Sequence, residues 1–288
     1  MNRTLYLSPS RSSLLAAAAL LTVLHAAPSA AHAQRNGMAR TYAGRGMTLN
    51  PHTLRIDLGP YEHGINDSGT ILGPLGSGYG LRVQVDTDLP DDRDTHVQFG
   101  SGFGYGILRT LEVGVLAFPV RSGGDRFGHV TPYLRWAFVS TAAFEMGLQA
   151  TLAIPTGRDE NLGTAFGLPI NIRIDDKVRI ETGVELEIFF DTGRDDGTGD
   201  DAYLHLDIPL AFGINVGRNG FFGPRASFTI VDLDDLVVAV GGFGGATIRG
   251  RRGHGAEFTG AFSFFVDQQR PGLPDYEFVF GTNLYFGL

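Results

Sequence analysis

Hydrophobic and polar residues alternate with a period of two along most of the chain. In IETGVELEIFF (residues 180–190), isoleucine, valine and leucine fill most even positions, while Glu181, Glu185 and Glu187 take odd ones. This alternation places the apolar side chains on one face of a β-strand and the acids on the other. A soluble sandwich would turn the apolar face to a core. A membrane barrel would turn it to lipid and line its lumen with the acids.

The same alternation recurs in successive segments after residue 78, where no helical periodicity extends beyond a turn or two. It predicts twelve strands, at residues 79–87, 95–107, 111–120, 129–139, 142–154, 163–174, 177–190, 202–214, 221–231, 236–248, 255–266 and 276–287. An even number of strands in series is typical of bacterial outer-membrane barrels. Before this series, residues 34–51 are polar and Gly-rich, which predicts disorder. Residues 52–59 alternate only briefly, and residues 59–78 have the composition of a connector.

The connections between these segments alternate in length. Those at residues 108–110, 140–141, 175–176, 215–219 and 249–254 are mostly tight. Those at residues 89–94, 121–128, 155–162, 191–200 and 267–275 are longer and richer in charge, glycine and proline, and residues 232–235 are short but acidic. Short turns at one end and longer loops at the other are the pattern of an outer-membrane barrel. Both chain ends then lie on the short-turn side, which is periplasmic.

One face of the predicted strands is apolar. Its members include Leu81, Val83, Val97, Phe103, Phe144, Leu148, Phe166, Leu168, Ile170, Leu206, Ile208, Leu210, Phe278, Phe280 and Phe286. A sandwich would be expected to interrupt such a face with charges or prolines at its edge strands. The sequence therefore predicts an all-β fold, a single up-and-down antiparallel transmembrane β-barrel of about twelve strands. A secreted soluble sandwich remains the alternative.

The N-terminus has the three parts of a secretory signal. Arg3 and Arg11 precede an apolar run over residues 14–27, and Ala-His-Ala then ends at Ala33. This order predicts cleavage after Ala33, since the apolar run is too short to span a membrane. We therefore divide the chain into a signal peptide (1–33), a periplasmic extension or plug-like segment (34–78) and a barrel (79–288).

Composition agrees with an exported, acidic barrel. The formal net charge of -8 argues against nucleic acid as a partner, because nucleic-acid binding favours a basic face. The chain has 41 glycines and 21 phenylalanines, a combination common in barrels, where glycine allows bends and close strand approach. It has no cysteine, so no disulfide contributes to its stability.

Two segments resemble a known family. FGYGILRTLEVGVLAFP (residues 103–119) and ATLAIPTG (residues 150–157) resemble bacterial outer-membrane barrels associated with phenol meta-pathway degradation and hydrophobic-compound uptake. The shared features are a Tyr-Gly strand end, a tight turn, a Leu-Glu-x-Gly strand and a strand that closes in Pro-Thr-Gly. The resemblance implies a transporter-like role for residues 79–288.

The chain end also resembles an outer-membrane assembly signal. Gly281, Leu284 and Phe286 occupy its glycine and hydrophobic positions, which implies the barrel-assembly machinery as a partner. The chain departs from that pattern because Gly287 and Leu288 follow Phe286, so the last residue is not aromatic.

Charged residues on the opposite face of three consecutive strands form the candidate site. If the apolar face meets lipid, these side chains line the lumen as one mixed-charge band: Arg173, Arg179, Glu181, Glu185, Glu187, His205 and Asp207. Such a band either tunes the selectivity of a pore or forms an ion-pair network that fills the barrel.

Other chemistry is less well supported. His205 and Asp207 share a face, yet no nucleophile or metal-ligand spacing accompanies them, so we expect no enzyme, metal or cofactor. The acidic loop at residues 191–201 does not have the spacing of an EF-hand. The predicted function is passive passage of small molecules across the outer membrane, with membrane lipid and solutes as partners. The family resemblance implies that these molecules are hydrophobic. The alternative is a non-conducting structural or adhesive barrel with a filled lumen.

Overall fold

The described part of the chain consists of strands and the turns that join them. The computed structural model describes residues 41–59, 80–85, 95–121, 129–155, 162–175, 177–190, 202–231, 233, 235–250, 253–267 and 275–288. The predicted signal peptide and most of the predicted long loops, including residues 191–201, lie outside these ranges. Within them, no helix is long and apolar enough to cross a membrane.

Thirteen strands are present in the described residues. They are β1 (Thr53–Gly59), β2 (Gly80–Val85), β3 (Thr95–Leu108), β4 (Leu111–Arg121), β5 (His129–Ser140), β6 (Phe144–Pro155), β7 (Leu162–Ile174), β8 (Val178–Phe190), β9 (Ala202–Val216), β10 (Gly220–Val231), β11 (Asp235–Arg249), β12 (Gly255–Asp267) and β13 (Asp275–Gly287). Strands β2 to β13 are the twelve that the alternation predicts, with bounds that agree to within a few residues. The all-β antiparallel prediction is therefore confirmed.

Neighbouring strands pair antiparallel, and the sheet closes on itself. Strands β2 to β13 pair in chain order, and β13 also pairs with both β2 and β1. Closure gives each described strand a hydrogen-bonded neighbour on both sides, so no described strand is a free edge of the sheet.

Strands β1 and β2 share one position in the wall. Leu58 of β1 lies opposite Thr282 of β13, and Gly80 of β2 lies opposite Gly281, the next residue of β13. Both short strands also pair with β3 on their other side. Thirteen strands therefore fill twelve positions of a closed barrel, and residues 60–79 are inserted within the first position.

The two faces of the wall have opposite character. Large apolar side chains point outward and stay accessible, with Phe103 50% and Phe280 55% exposed. Inward-facing positions are buried and largely polar, and they include Glu112, Glu187, Asp207 and Glu257. Clusters of buried apolar residues are small, for example Val237 with Ala239. The barrel is thus apolar outside and polar inside, as expected for strands that alternate between lipid and lumen.

Candidate functional site

All seven residues predicted to line the lumen lie on the inner face. They come from β7, β8 and β9. On these neighbouring strands, Arg173 lies opposite Arg179, Glu187 lies opposite His205 and Glu185 lies opposite Asp207. Six are buried, while Arg173 is partly accessible. The structure divides the band into two groups. Arg173, Arg179 and Glu181 lie near the short turns, and the other four lie farther along β8 and β9.

The group near the short turns is ion-paired. Nε of Arg179 lies 2.6 Å from Oε1 of Glu181, its neighbour two residues along β8. Nη2 of Arg173 lies 2.7 Å from Oε1 of Glu145 at the start of β6. These charges therefore neutralise one another, within β8 in the first pair and between β7 and β6 in the second.

A segment that precedes β1 lies inside the lumen at this end. Residues 41–51, hereafter the plug, bury Tyr42, Ala43, Met47 and Leu49 against inward-facing wall residues. A twelve-stranded barrel encloses more space than small barrels fill with side chains, so an added segment can occupy it. The predicted disorder of residues 34–51 is therefore wrong for residues 41–51.

Wall side chains hold the plug by its backbone. Three plug N–H groups donate to wall acceptors: Ala43 to Oδ1 of Asn215 (3.1 Å), Met47 to Oε2 of Glu145 (2.7 Å) and Leu49 to Oε2 of Glu112 (2.9 Å). Two wall arginines donate from Nη1 to plug carbonyls: Arg135 to Met47 (3.2 Å) and Arg179 to Arg45 (2.9 Å). Five strands, β4, β5, β6, β8 and β9, thus contribute one contact each. These bonds satisfy backbone groups that would otherwise be buried without partners.

Arg45 extends the attachment to the opposite side of the barrel. Its guanidinium pairs with the buried Glu257 carboxylate of β12, and Nη2 donates to Oγ1 of Thr247 on β11 (3.2 Å). The guanidinium carbon also lies 5.3 Å from the ring centre of Tyr42 and 5.6 Å from that of Phe221, within cation–π range.

Tyr42 is the aromatic anchor of the plug. Its ring stacks on Phe221 of β10 with the ring centroids 4.5 Å apart. Burial raises the pKa of the Tyr42 hydroxyl well above its ordinary value, and the Glu181 carboxylate raises it further. Tyr42 is therefore neutral at physiological pH.

Inward-facing glycines make room for the plug. A Cβ atom added at Gly213 would overlap the Tyr42 ring, and one added at Gly147 would come 2.6 Å from Sδ of Met47. At Gly167, which also faces inward, the nearest atom would be Cβ of Gln149 at an ordinary 3.7 Å. Gly147 and Gly213 are thus needed for close approach of the plug, and Gly167 is not.

A second buried network fixes β1 to the wall beside the plug. Arg55 donates from Nε to Oδ1 of Asp57 (2.8 Å) and from Nη2 to the Tyr133 hydroxyl (3.0 Å). That hydroxyl donates to Oε1 of Glu112 (2.7 Å), whose other oxygen accepts from the plug. The strand β1, the wall and the plug are therefore joined by one polar network.

Sequence reasoning did not identify most residues that hold the plug. Glu112, Glu145 and Glu257 are each the second or third residue of a strand that follows a tight turn. The sequence signal that could have identified these three residues is an acid at an inward-facing position beside a short turn. Their partners in residues 41–51 carry no comparable pattern.

Comparison with known proteins gives low similarity. No family model matches the chain, and no curated protein matches it. An outer membrane channel from Pseudomonas putida F1 is 10% identical, with a TM-score of 0.49, 82% of this chain covered and 96% of that chain covered. A porin is 12% identical, with a TM-score of 0.38, and the match covers 66% of this chain and 62% of the porin chain. A bacterial polysaccharide outer membrane secretin is 13% identical, with a TM-score of 0.41, and the match covers 83% of this chain and 99% of the secretin chain.

These similarities do not add to what strand pairing already shows about the fold. The resemblance of residues 103–119 and 150–157 to the phenol meta-pathway family is not confirmed by them.

Proposed function

We propose that this protein is an outer-membrane β-barrel that gives small molecules passage through its lumen, and that the plug keeps its short-turn mouth closed. The observation that carries the proposal is a closed wall with an accessible apolar outer face and a charged inner face, which holds inside it a segment that is not part of the wall.

The outer face supports a membrane location. Accessible aromatic and aliphatic side chains recur on it, among them Phe166, Leu168 and Phe280. In water this surface would form a large apolar patch, which soluble monomers avoid. In lipid the same surface contributes favourably, and closure of the sheet leaves no unpaired backbone. Recognition of β13 by the barrel-assembly machinery belongs to the same proposal.

The way in which the plug is held supports a removable closure. Its described contacts with β4, β5, β6, β8 and β9 are made by wall side chains, whereas His52, just after the plug, joins the wall by a backbone hydrogen bond to Gly106. Side-chain contacts of this kind can break without unpairing any strand of the barrel. Opening would expose Glu181 and the charged residues beyond it to water.

The inner wall also supports small hydrophobic molecules as a substrate class. Toward the long-loop mouth, some inward positions are apolar and buried, including Leu116 on β4 and Val237 and Ala239 on β11. A solute entering from that side meets this apolar surface before it reaches the charged residues near the plug.

A second candidate function is a non-conducting structural barrel. The observation that favours it is the burial of the inner face, since Ala165, Thr151 and Glu187 are each less than a tenth exposed. In that case the lumen is filled permanently and the plug is a structural part of the barrel.

A matched pair of glycine substitutions tests the proposal. Gly213→Ala adds a methyl group where the Tyr42 ring lies, while Gly167→Ala adds one where there is space. We expect Gly213→Ala to increase single-channel current and the rate of solute entry into liposomes, and Gly167→Ala to leave both at the level of the parent chain. If the parent and both variants fold but show neither single-channel current nor solute entry, passage through the lumen is refuted. The structural candidate is then the better account.

A further inference from the structure

A pair of carboxylates in the lumen is not used by the plug. Glu185 of β8 and Asp207 of β9 are register partners on the inner face. Glu185 is 7% exposed and Asp207 1% exposed, so both acids are removed from bulk water. They lie beyond Glu181, toward the long-loop mouth.

Each acid has one oxygen without a partner. Oδ1 of Asp207 accepts from Oγ of Ser227 (2.5 Å) and from Oγ1 of Thr229 (2.7 Å), both on β10. Oδ2 of Asp207 and Oε1 of Glu185 are buried and accept no hydrogen bond. Buried carboxylate oxygens without partners are costly, so their presence on facing strands points to an absent ligand that would bind both of them, such as a cation.

The charges of Arg135 and Arg225 attract Glu185 and Asp207 respectively, yet neither arginine donates a hydrogen bond to the two unpartnered oxygens. Arg135 is on the inner wall, but its Nε donates to Oε1 of Gln149 and its Nη1 to the Met47 carbonyl. The ion pairs formed by Arg45, Arg55, Arg173 and Arg179 all involve other acids. The acids near the plug, by contrast, are in direct contact with these arginines.

We propose that Glu185 and Asp207 bind one divalent cation of the calcium class within the lumen. Carboxylate and hydroxyl oxygens are the ligands that such hard cations prefer, and Ser227 and Thr229 place hydroxyls beside Asp207. The described residues contain no group of three or more His, Asp or Glu with the geometry of a metal site. The pair therefore supplies only part of a coordination shell, and water or a solute supplies the rest.

This site does not depend on conduction. A filled barrel would bind the ion as a structural counter-charge, whereas an open barrel would present the ion to passing solutes. Direct binding therefore tests the site separately from the proposed passage function.

Calcium binding to the refolded full-length mature chain is the test. Equilibrium dialysis with radioactive calcium would compare the parent with Glu185→Gln, Asp207→Asn and the control Glu181→Gln, which alters the same strand and face. We expect the first two variants to bind one ion fewer per chain and the control to bind as many as the parent. The difference between variants removes any contribution of acidic loops.

Thermal unfolding gives a second readout on the same four chains. We expect calcium to raise the unfolding midpoint of the parent and of Glu181→Gln above its value in chelator, because an ion bound by the folded state alone stabilises it. That calcium-dependent rise should be smaller in Glu185→Gln and Asp207→Asn. Undiminished calcium binding by those two variants would overturn the proposal, as would a parent chain that binds no calcium.

Discussion

Removal of the Arg45 guanidinium should open the plug. Arg45 is the plug residue that pairs with Glu257, and Glu257 is fully buried on β12. Arg45→Ala deletes this ion pair together with the contact to Thr247 and the cation–π contacts to Tyr42 and Phe221. It leaves the backbone bonds of the plug to the wall in place.

The magnitude follows from the carboxylate left behind. Breaking a buried ion pair by removal of one partner costs about 3–5 kcal/mol. Thr247 and Asn283 still donate to Glu257 over 3.4 Å, so the lower figure applies. Departure of the plug admits water to Glu257 and relieves this cost. About 3 kcal/mol therefore lowers the ratio of closed to open plug by roughly 100-fold.

Cysteine labelling measures that ratio, because the chain contains no cysteine of its own. Met47→Cys places a single thiol in the closed plug, where Met47 is buried, and Ala142→Cys places one in an accessible short turn. The rate of reaction with a water-soluble maleimide at position 47 should rise by roughly 100-fold in Arg45→Ala. The rate at position 142 should not change.

Two results would refute the reasoning. One is a thiol at position 47 that reacts as fast as the one at position 142 when Arg45 is present, since the plug would then not be closed. The other is an equal rate at position 47 with and without Arg45. Adding Glu257→Gln to Arg45→Ala should return the rate toward that of the parent, because the uncompensated charge is then gone.

Three further predictions concern the lumen, the lipid face and the network at β1. In a chain opened by Arg45→Ala, changing Glu181, Glu185 and Glu187 together to Gln should reduce the preference of the pore for cations. The reversal potential in a salt gradient measures this preference, and an unchanged potential would mean that ions do not pass these residues. Leu168→Arg puts a charge on the accessible outer face in the middle of β7 and should destabilise the folded barrel by about 2–4 kcal/mol in urea titrations in lipid vesicles. A cost near zero would mean that this face is not in lipid. Tyr133→Phe removes the hydroxyl between Arg55 and Glu112 and should cost about 1.5–3 kcal/mol in the same titration, with no loss if the network contributes nothing.

The fold could be predicted from the sequence because strand faces are set locally. Successive side chains in a strand point to opposite sides, so Glu181, Glu185 and Glu187 had to share a face whatever the strand paired with. Tight turns after β3, β5, β7, β9 and β11 then paired each of these five strands with the next one, and the remaining pairs followed from the up-and-down order of a barrel. Together they predict that Arg179, His205 and Asp207 share the polar face of neighbouring strands, and all three are buried in the structure.

The position of the first strand could not be predicted in this way. Residues 52–59 alternate only briefly, and residues 60–79 separate them from Gly80. Only closure of the barrel shows that Leu58 and Gly80 lie opposite consecutive residues of β13.

What the sequence by itself determined is the wall of this protein: its strands, their order and which face is apolar. What only the tertiary structure decided is the content of the lumen. Arg45 meets Glu257 across 212 residues, and Ala43 meets Asn215 across 172. Side-chain contacts at such separations depend on the closed circumference of the barrel and the stagger of its strands. Those quantities belong to the whole sheet, and no local pattern of residues specifies them.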